Sequence, residues 1–286
     1  MPKWMQILNV TPDSFSDGGR SLSPDAFFKH AQEALQAGAS YLDIGAESSR
    51  PQAVGISTEE ERQRLKPYVD AVTALRQAFP DCRVSIDTVK PSVARWALET
   101  GFADFVNDVS GGTFKEVGES ASMFELVAEH ACPYVLMHRR GTPETMDGLA
   151  VYGNVVADVT QELQAQLENA FAVGVKPSQL IVDVGIGFAK TQEQNFALLR
   201  ALPAIKQAMG GFPMLLGVSR KRVTSGGGRL GVHQREATTA VLHQWVGREH
   251  PAGTVDIFRV HDVLQQKAAW DLWYTLKYQL NDYSVL

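Results

Sequence analysis

Met5-Gln-Ile-Leu-Asn-Val-Thr-Pro-Asp-Ser14 is a strand-like apolar run that passes straight into Thr-Pro-Asp-Ser. An open, doubly wound sheet ordinarily places a Gly-rich phosphate turn after its first strand, and none follows here. The strand proper covers residues 5–10, and similar short runs recur at 41–45, 83–87, 105–109, 134–138, 180–184, 214–218 and 256–260. They are rich in Val, Ile, Leu and Tyr and too short for helices. Helical patterns separate them. One opens on Ser57-Thr58 with Glu59 and Glu61 behind it, a capping signature, and runs through Leu65, Val69, Val72 and Leu75. A second starts at Pro91, a favoured first-turn residue, and carries Val93, Ala97 and Leu98. A third sets Val155, Val159, Leu163 and Leu167 at helical spacing, and a last one spans 263–280. Strands and helices in strict alternation, eight of each, predict an α/β fold: a single (β/α)8 TIM barrel over residues 1–286. The Gly226-Gly-Gly228 run sits inside one connection and reads as a flexible loop, not a domain boundary.

Composition narrows the function classes. With 286 residues, 44% hydrophobic and 21% charged, the chain can bury a large core. A net charge of −5 without a basic stripe predicts no nucleic-acid partner. No apolar run approaches spanning length and the opening Met-Pro-Lys-Trp-Met-Gln lacks a signal-peptide layout, so no membrane partner and a cytoplasmic location are expected. Cys82 and Cys132 read as reduced structural thiols.

In a barrel of this kind the chemistry sits at the carboxyl ends of the strands. Those ends read Asn9, Asp43, Asp87, Asn107-Asp108, His138, Asp183, Ser219-Arg-Lys221 and Arg259 to His261. Each taken alone is an ordinary capping or solvated residue. A polar group at every strand end, all expected to face one mouth, predicts a site. Asp87, Asn107 and Asp183 suit a flat heterocycle with several N–H donors. Arg50, Arg259, His261 and Lys221 suit a phosphate group, and no Gly-x-x-x-x-Gly-Lys loop supplies one by other means. The mixture predicts a substrate with a heterocycle at one end and a diphosphate at the other.

These residues resemble the dihydropteroate synthase family. Ile7-Leu-Asn-Val-Thr-Pro-Asp-Ser-Phe-Ser-Asp-Gly-Gly19 is similar to its opening signature, and Asp43-Ile-Gly-Ala-Glu-Ser-Ser-Arg-Pro51 to its second. Ser85-Ile-Asp-Thr88, Val106-Asn-Asp-Val109, Leu136-Met-His138 with Thr145-Met146, residues 183–188, Ser219-Arg-Lys221 and Arg259-Val-His-Asp262 follow in the family's order. The resemblance spans nearly the whole chain. It implies an enzyme that condenses 6-hydroxymethyl-7,8-dihydropterin diphosphate with p-aminobenzoate, giving 7,8-dihydropteroate and diphosphate. It implies pterin contacts from Asp87, Asn107, Val109, Met137, Asp183, Phe188, Gly217 and Lys221. It implies diphosphate contacts from Asn9, Ser49, Arg50, Arg259 and His261, with Mg²⁺ as cofactor at Asn9. Phe15, Pro51, Lys221 and Arg222 would receive p-aminobenzoate. Catalysis would rest on Lys221, Asp87, Asp183 and Asp17, with mobile loops after the first and second strands. The family's habit is a homodimer. The last helix, with Trp270, Trp273, Tyr274 and Leu276, suits either such a face or the core.

Departures from the family pattern are local. Val184, Ile186 and Ala189 stand where it has Pro, Phe and Gly, Ala46 where it has Gly, and Ser49 where it has Thr. Arg139, Arg140 and Arg222 add charge next to the expected site. A methyltetrahydrofolate–corrinoid methyltransferase would share the ring-binding set but needs no Arg50, Arg259 or His261. A non-catalytic pterin-binding relative would be expected to lose Lys221 or the loop residues, and neither loss is seen.

Overall fold

Eight parallel strands pair in chain order and β8 returns to β1, closing the barrel. The strands are β1 (Lys3–Asn9), β2 (Tyr41–Gly45), β3 (Arg83–Asp87), β4 (Phe105–Asp108), β5 (Tyr134–Met137), β6 (Leu180–Asp183), β7 (Met214–Leu216) and β8 (Ile257–Val260). All eight coincide with the expected runs to within two residues at either end. The computed structural model describes residues 1–11, 23–50, 52–119 and 121–278.

Side-chain alternation sorts each strand into two faces. Met5, Phe105, Val135, Leu215 and Ile257 point inward and, with Tyr41 and Ile181, plug the lower barrel. Leu42, Ile44, Val84, Ile86, Val106, Leu136, Val182 and Phe258 point outward into the much larger core beneath the helices. The plug makes the barrel a packed body, so chemistry is confined to its ends.

The helices among the described residues are α1 (Pro24–Gln36), α2 (Thr58–Leu65), α3 (Val69–Ala78), α4 (Pro91–Glu99), α5 (Met123–His130), α6 (Val155–Ala172), α7 (Gln192–Ala208), α8 (Glu236–Glu249) and α9 (Val263–Tyr278). Ser57 caps α2 by accepting from the Glu60 amide at 3.2 Å. The expected single helix from Ser57 to Leu75 is two: a 3₁₀ turn, Lys66–Tyr68, joins α2 to α3 around Pro67. Proline has no amide hydrogen to donate and its ring crowds the preceding turn, so α-helical pairing breaks there. Val155, Val159, Leu163 and Leu167 are all buried on α6, as their spacing predicts. Cys82 and Cys132 are free and buried. No helix among the described residues is long and apolar enough to cross a membrane.

Candidate active site

The upper, inward-facing positions of the strands form the floor of the mouth. Around the ring they are Asn9, Gly45, Asp87, Asn107, Met137, Asp183, Gly217 and Arg259, with register pairs Asn9–Gly45, Gly45–Asp87, Asp87–Asn107 and Met137–Asp183. Two glycines keep this floor open. A Cβ on Gly45 would lie 3.2 Å from the Asp87 Cβ, and one on Gly217 would lie 3.7 Å from Lys221 Nζ and 3.9 Å from Asp183 Oδ2.

Arg259 organises one side. Its Nε donates to Asp43 Oδ2 at 2.5 Å and its Nη2 to Asp87 Oδ2 at 2.6 Å, so β8 reaches across β1 to both β2 and β3. Asn107 Nδ2 donates to the same Asp43 oxygen at 3.0 Å, and the Ser85 hydroxyl donates to its other oxygen. Asp43 is fully buried and serves as the hub of this network. Burial pushes the Asp87 carboxyl up to about 7, against the pull of Arg259 and with the help of Asp43. Burial works against the Arg259 charge too, but Asp43 and Asp87 outweigh it and raise its affinity for the proton.

The opposite side is built on β6 and the connection after β7. Asp183 Oδ1 accepts from the Gly185 amide at 2.8 Å. Lys221 Nζ donates to the Ile186 carbonyl at 2.7 Å and stands 4.6 Å over the Phe188 ring. Burial lowers the Lys221 ammonium to about 8, with Asp183 opposing. Burial raises Asp183, with Lys221 opposing. Val109, Met137 and Phe188 gather with Met146 and Ala189 into a small apolar cluster separate from the barrel core. Of the three, Val109 also borders the small cleft beside Asp87.

His261 Nδ1 lies 2.9 Å from the Ser219 hydroxyl, which also accepts the His261 amide at 3.2 Å. Burial, then the charges of Arg220, Arg259, Arg50 and Lys221, hold its imidazole well below the ordinary range. The ring is therefore neutral near pH 7, in a field that an oxyanion would balance. Arg220 belongs to this field although the sequence reading placed no role on it. It is held in a left-handed conformation, φ 57°, with its guanidinium on Glu236. Ser49 is half-buried and Arg50 exposed on the connection after β2, and Arg222 is exposed beyond Lys221. Phe15, Asp17 and Pro51 lie outside the described residues.

Two of the expected mouth groups face the other way. Asp108 and His138 occupy outward positions, because Asn107 and Met137 beside them point in. Asp108 accepts from the Ser110 and Gly112 amides at 2.6 and 2.9 Å and from the Tyr134 hydroxyl at 2.8 Å. His138 Nε2 meets Glu162 Oε2 of α6 at 2.9 Å, and its Nδ1 meets Lys190 Nζ at 2.9 Å. Burial and then Lys190 lower His138 to about 4, so it accepts from Lys190 as a neutral ring. Lys190 also donates to the carbonyls of Gly185 and Phe188 at 3.0 and 2.9 Å, bracing the loop that carries Asp183. Both residues support the mouth from behind.

Arg139 borders a cleft of about 180 Å³ with Ser48, Ser49, Asp87 and Val109, and its buried Nε has no hydrogen-bond partner among the described residues. A larger groove of about 1020 Å³ opens at the amino-terminal end of the barrel, bordered by Lys3, Tyr41, Arg83 and Trp270. It holds none of the candidate residues, and barrels of this kind do not place their chemistry there. Ala46 keeps an ordinary backbone, whereas Ala189 adopts φ 48°, a conformation that favours glycine.

Residues 5–261 match the family described as pterin binding enzyme. A dihydropteroate synthase of Synechocystis sp. is 43% identical over 270 residues, covering 91% of this chain and 84% of the relative. The solved dihydropteroate synthase of Yersinia pestis, in complex with a sulfonamide drug, superposes with a TM-score of 0.83 at 33% identity, covering 96% of this chain and 94% of that one. That of Xanthomonas albilineans with 4-aminobenzoic acid superposes at 0.80 and 34% identity, covering 97% and 93%.

Proposed function

The chain belongs to the dihydropteroate synthases of the pterin-binding enzyme family, and from that premise we propose how its mouth divides the work. The reaction condenses 6-hydroxymethyl-7,8-dihydropterin diphosphate with p-aminobenzoate to give 7,8-dihydropteroate and diphosphate. The observation that carries the division is the placement of acceptors and cations on one floor, joined by Arg259, which bonds both Asp43 and Asp87.

Asp87, Asn107 and Asp183 accept and donate along the pterin edge, and Val109, Met137 and Phe188 flank its faces. Lys221 keeps donor capacity beyond its bond to Ile186, since an ammonium offers three hydrogens. Gly217 leaves room for the ring between Asp183 and Lys221. Ser49, Arg50, Arg259 and His261 receive the diphosphate, supported by the shared positive field around His261.

The arylamine attacks the exocyclic methylene as the carbon–oxygen bond to diphosphate breaks, and the amine proton leaves to solvent. Two charges must be stabilised, negative on the departing oxygens and positive on the pterin. Arg50 and Arg259 meet the first. Asp87 and Asp183, anchoring the ring, favour the second, a role the family resemblance also gives to Asp17. An arylamine is largely unprotonated at neutral pH, so no strong base is required. Phe15 and Pro51 would border the arylamine, with Lys221 and Arg222 toward its carboxylate. Loops after β1 and β2 would exclude water from the cation.

Magnesium fits this floor only together with the diphosphate. No group of three His, Cys, Asp or Glu side chains among the described residues forms a metal cage, and Asn9, paired with Gly45 at the end of β1, offers one neutral oxygen donor. Mg²⁺ commonly takes one or two protein ligands and fills its shell with phosphate oxygens and water. Asn9 would hold it, and when bound it would withdraw charge from the leaving group.

A homodimer through α8 and α9 is supported by Val241, Leu264, Leu272 and Leu276, which stand exposed. Trp270 is buried, and Trp273 and Tyr274 pack against the core, so the tryptophan side of α9 is already used. Buried, unpaired thiols at Cys82 and Cys132 are in keeping with a cytoplasmic location.

The division is tested by Asp87→Ala and Lys221→Ala. Each is expected to abolish measurable dihydropteroate formation while far-ultraviolet circular dichroism stays that of the parent. Turnover within tenfold of the parent in either variant would remove that residue from the ring-binding role.

A further inference from the structure

The connection after β2 carries Ser49 and Arg50, and it is closed at its base by one carboxylate. Glu47 Oε1 accepts the Ile56 amide at 2.9 Å, nine residues further on. Glu47 Oε2 accepts from Lys90 Nζ at 2.5 Å, just beyond β3. The same ammonium donates to Glu61 Oε2 of α2 at 2.7 Å. Arg64, also on α2, donates to the Ala46 carbonyl at 3.0 Å, where the connection begins. Lys90 is 5% exposed and Glu61 fully buried.

An exposed ion pair would tie these elements weakly, because solvent screens it and its long side chains lose entropy. A buried one is costly to assemble, and three apolar residues of similar volume would serve stability as well or better. The charged trio adds direction. A carboxylate fixed on two sides holds both ends of the loop at one set distance, which apolar packing does not do. Glu61 lies one turn before Leu65 on α2 and both are buried, so a charge stands where periodicity calls for an apolar residue.

We propose that Lys90, through Glu47 and Glu61, is a positioning residue that sets the second loop so that Ser49 and Arg50 meet the diphosphate. It acts on recognition of the anion and not of the pterin ring, whose residues lie on the strand ends. The inference rests on the division of the mouth described above.

Lys90→Met and Glu47→Gln test it by calorimetric titration with two ligands, the dihydropterin diphosphate and 6-hydroxymethyl-7,8-dihydropterin without the diphosphate. Both variants are expected to lose about tenfold to a hundredfold in affinity for the first, the scale of a roughly 1 Å misplacement, and to keep the second within about twofold. Lys90→Arg should recover part of the loss. Hydrogen exchange at the Ile56 amide should quicken in Glu47→Gln, because the carboxamide has one oxygen where the carboxylate offered two, and it cannot accept from both Ile56 and Lys90. Equal losses for both ligands would reduce the trio to a structural role, and unchanged affinity for both would overturn the proposal. If Lys90→Met does not fold, Glu47→Gln decides alone. Failure of the parent protein to bind either pterin would sink the functional reading instead, while Ile56 exchange would still report on the clasp.

Discussion

Single residues here are constrained by backbone as much as by chemistry. Ala189 sits at φ 48° and is also buried against Phe188 and Met137. Glycine there would relieve roughly 1 kcal/mol of left-handed strain and lose about 0.8 kcal/mol of methyl burial. Ala189→Gly is therefore expected to change unfolding free energy by no more than about 0.5 kcal/mol. Ala189→Val meets the same backbone with a branched side chain and should cost about 2 kcal/mol, by denaturant titration. A large gain from glycine would mean that the strain outweighs the packing. Gly217 and Lys221 belong to the same scale, since a side chain at 217 would enter the space beside Lys221 Nζ and Asp183 Oδ2. The polar residues that gather on the floor of the mouth were legible in the sequence because they close successive strands in a fixed order. Asp43 as the hub of Arg259 was not, because that pairing spans 216 residues and only the closed barrel creates it. Lys190 and Lys90 were missed for the same reason, as their partners lie 52, 43 and 29 residues away.

Elements add what residue lists omit, above all parity. Asn107 and Asp108 are adjacent on β4, so they cannot both face the mouth, and the same alternation separates Met137 from His138. A reading that counted polar strand ends without alternation therefore included two residues of the outer layer. Pro67 shows the complementary case, where a continuous apolar stripe hid a break between helices. The joint of α8 and α9 offers a pH test. His243 is buried against Trp4 and Phe258, its Nδ1 is 3.1 Å from Gln266 Oε1, and burial lowers it to about 3. Below its unfolded value near 6.5 the unfolded chain binds a proton that the folded chain refuses, so stability falls as pH falls. The contribution is fully present above 6.5 and is lost on descent toward 3, amounting to about 2 kcal/mol by pH 5. His243→Gln should remove that slope, and parallel stability–pH curves for parent and variant would contradict the assignment.

At the scale of the whole molecule, alternation of strands and helices was readable from end to end, and the closed sheet follows it strand for strand. Assembly was less legible, because apolar residues on α9 serve both core and surface. The exposed set Leu264, Leu272 and Leu276 predicts that Leu272→Glu will shift the mass in light scattering from two chains to one. A parent protein already of single-chain mass would contradict the dimer. As proposed, one barrel mouth brings a pterin diphosphate and an arylamine together and keeps water from the pterin methylene. The most direct test is diphosphate release by the parent protein from dihydropterin diphosphate with Mg²⁺, followed with and without p-aminobenzoate. Dihydropteroate and diphosphate should appear in equal amounts when the arylamine is present, with little release in its absence. Comparable release without p-aminobenzoate, or release without dihydropteroate, would mean that the mouth hydrolyses its substrate and that the account is wrong.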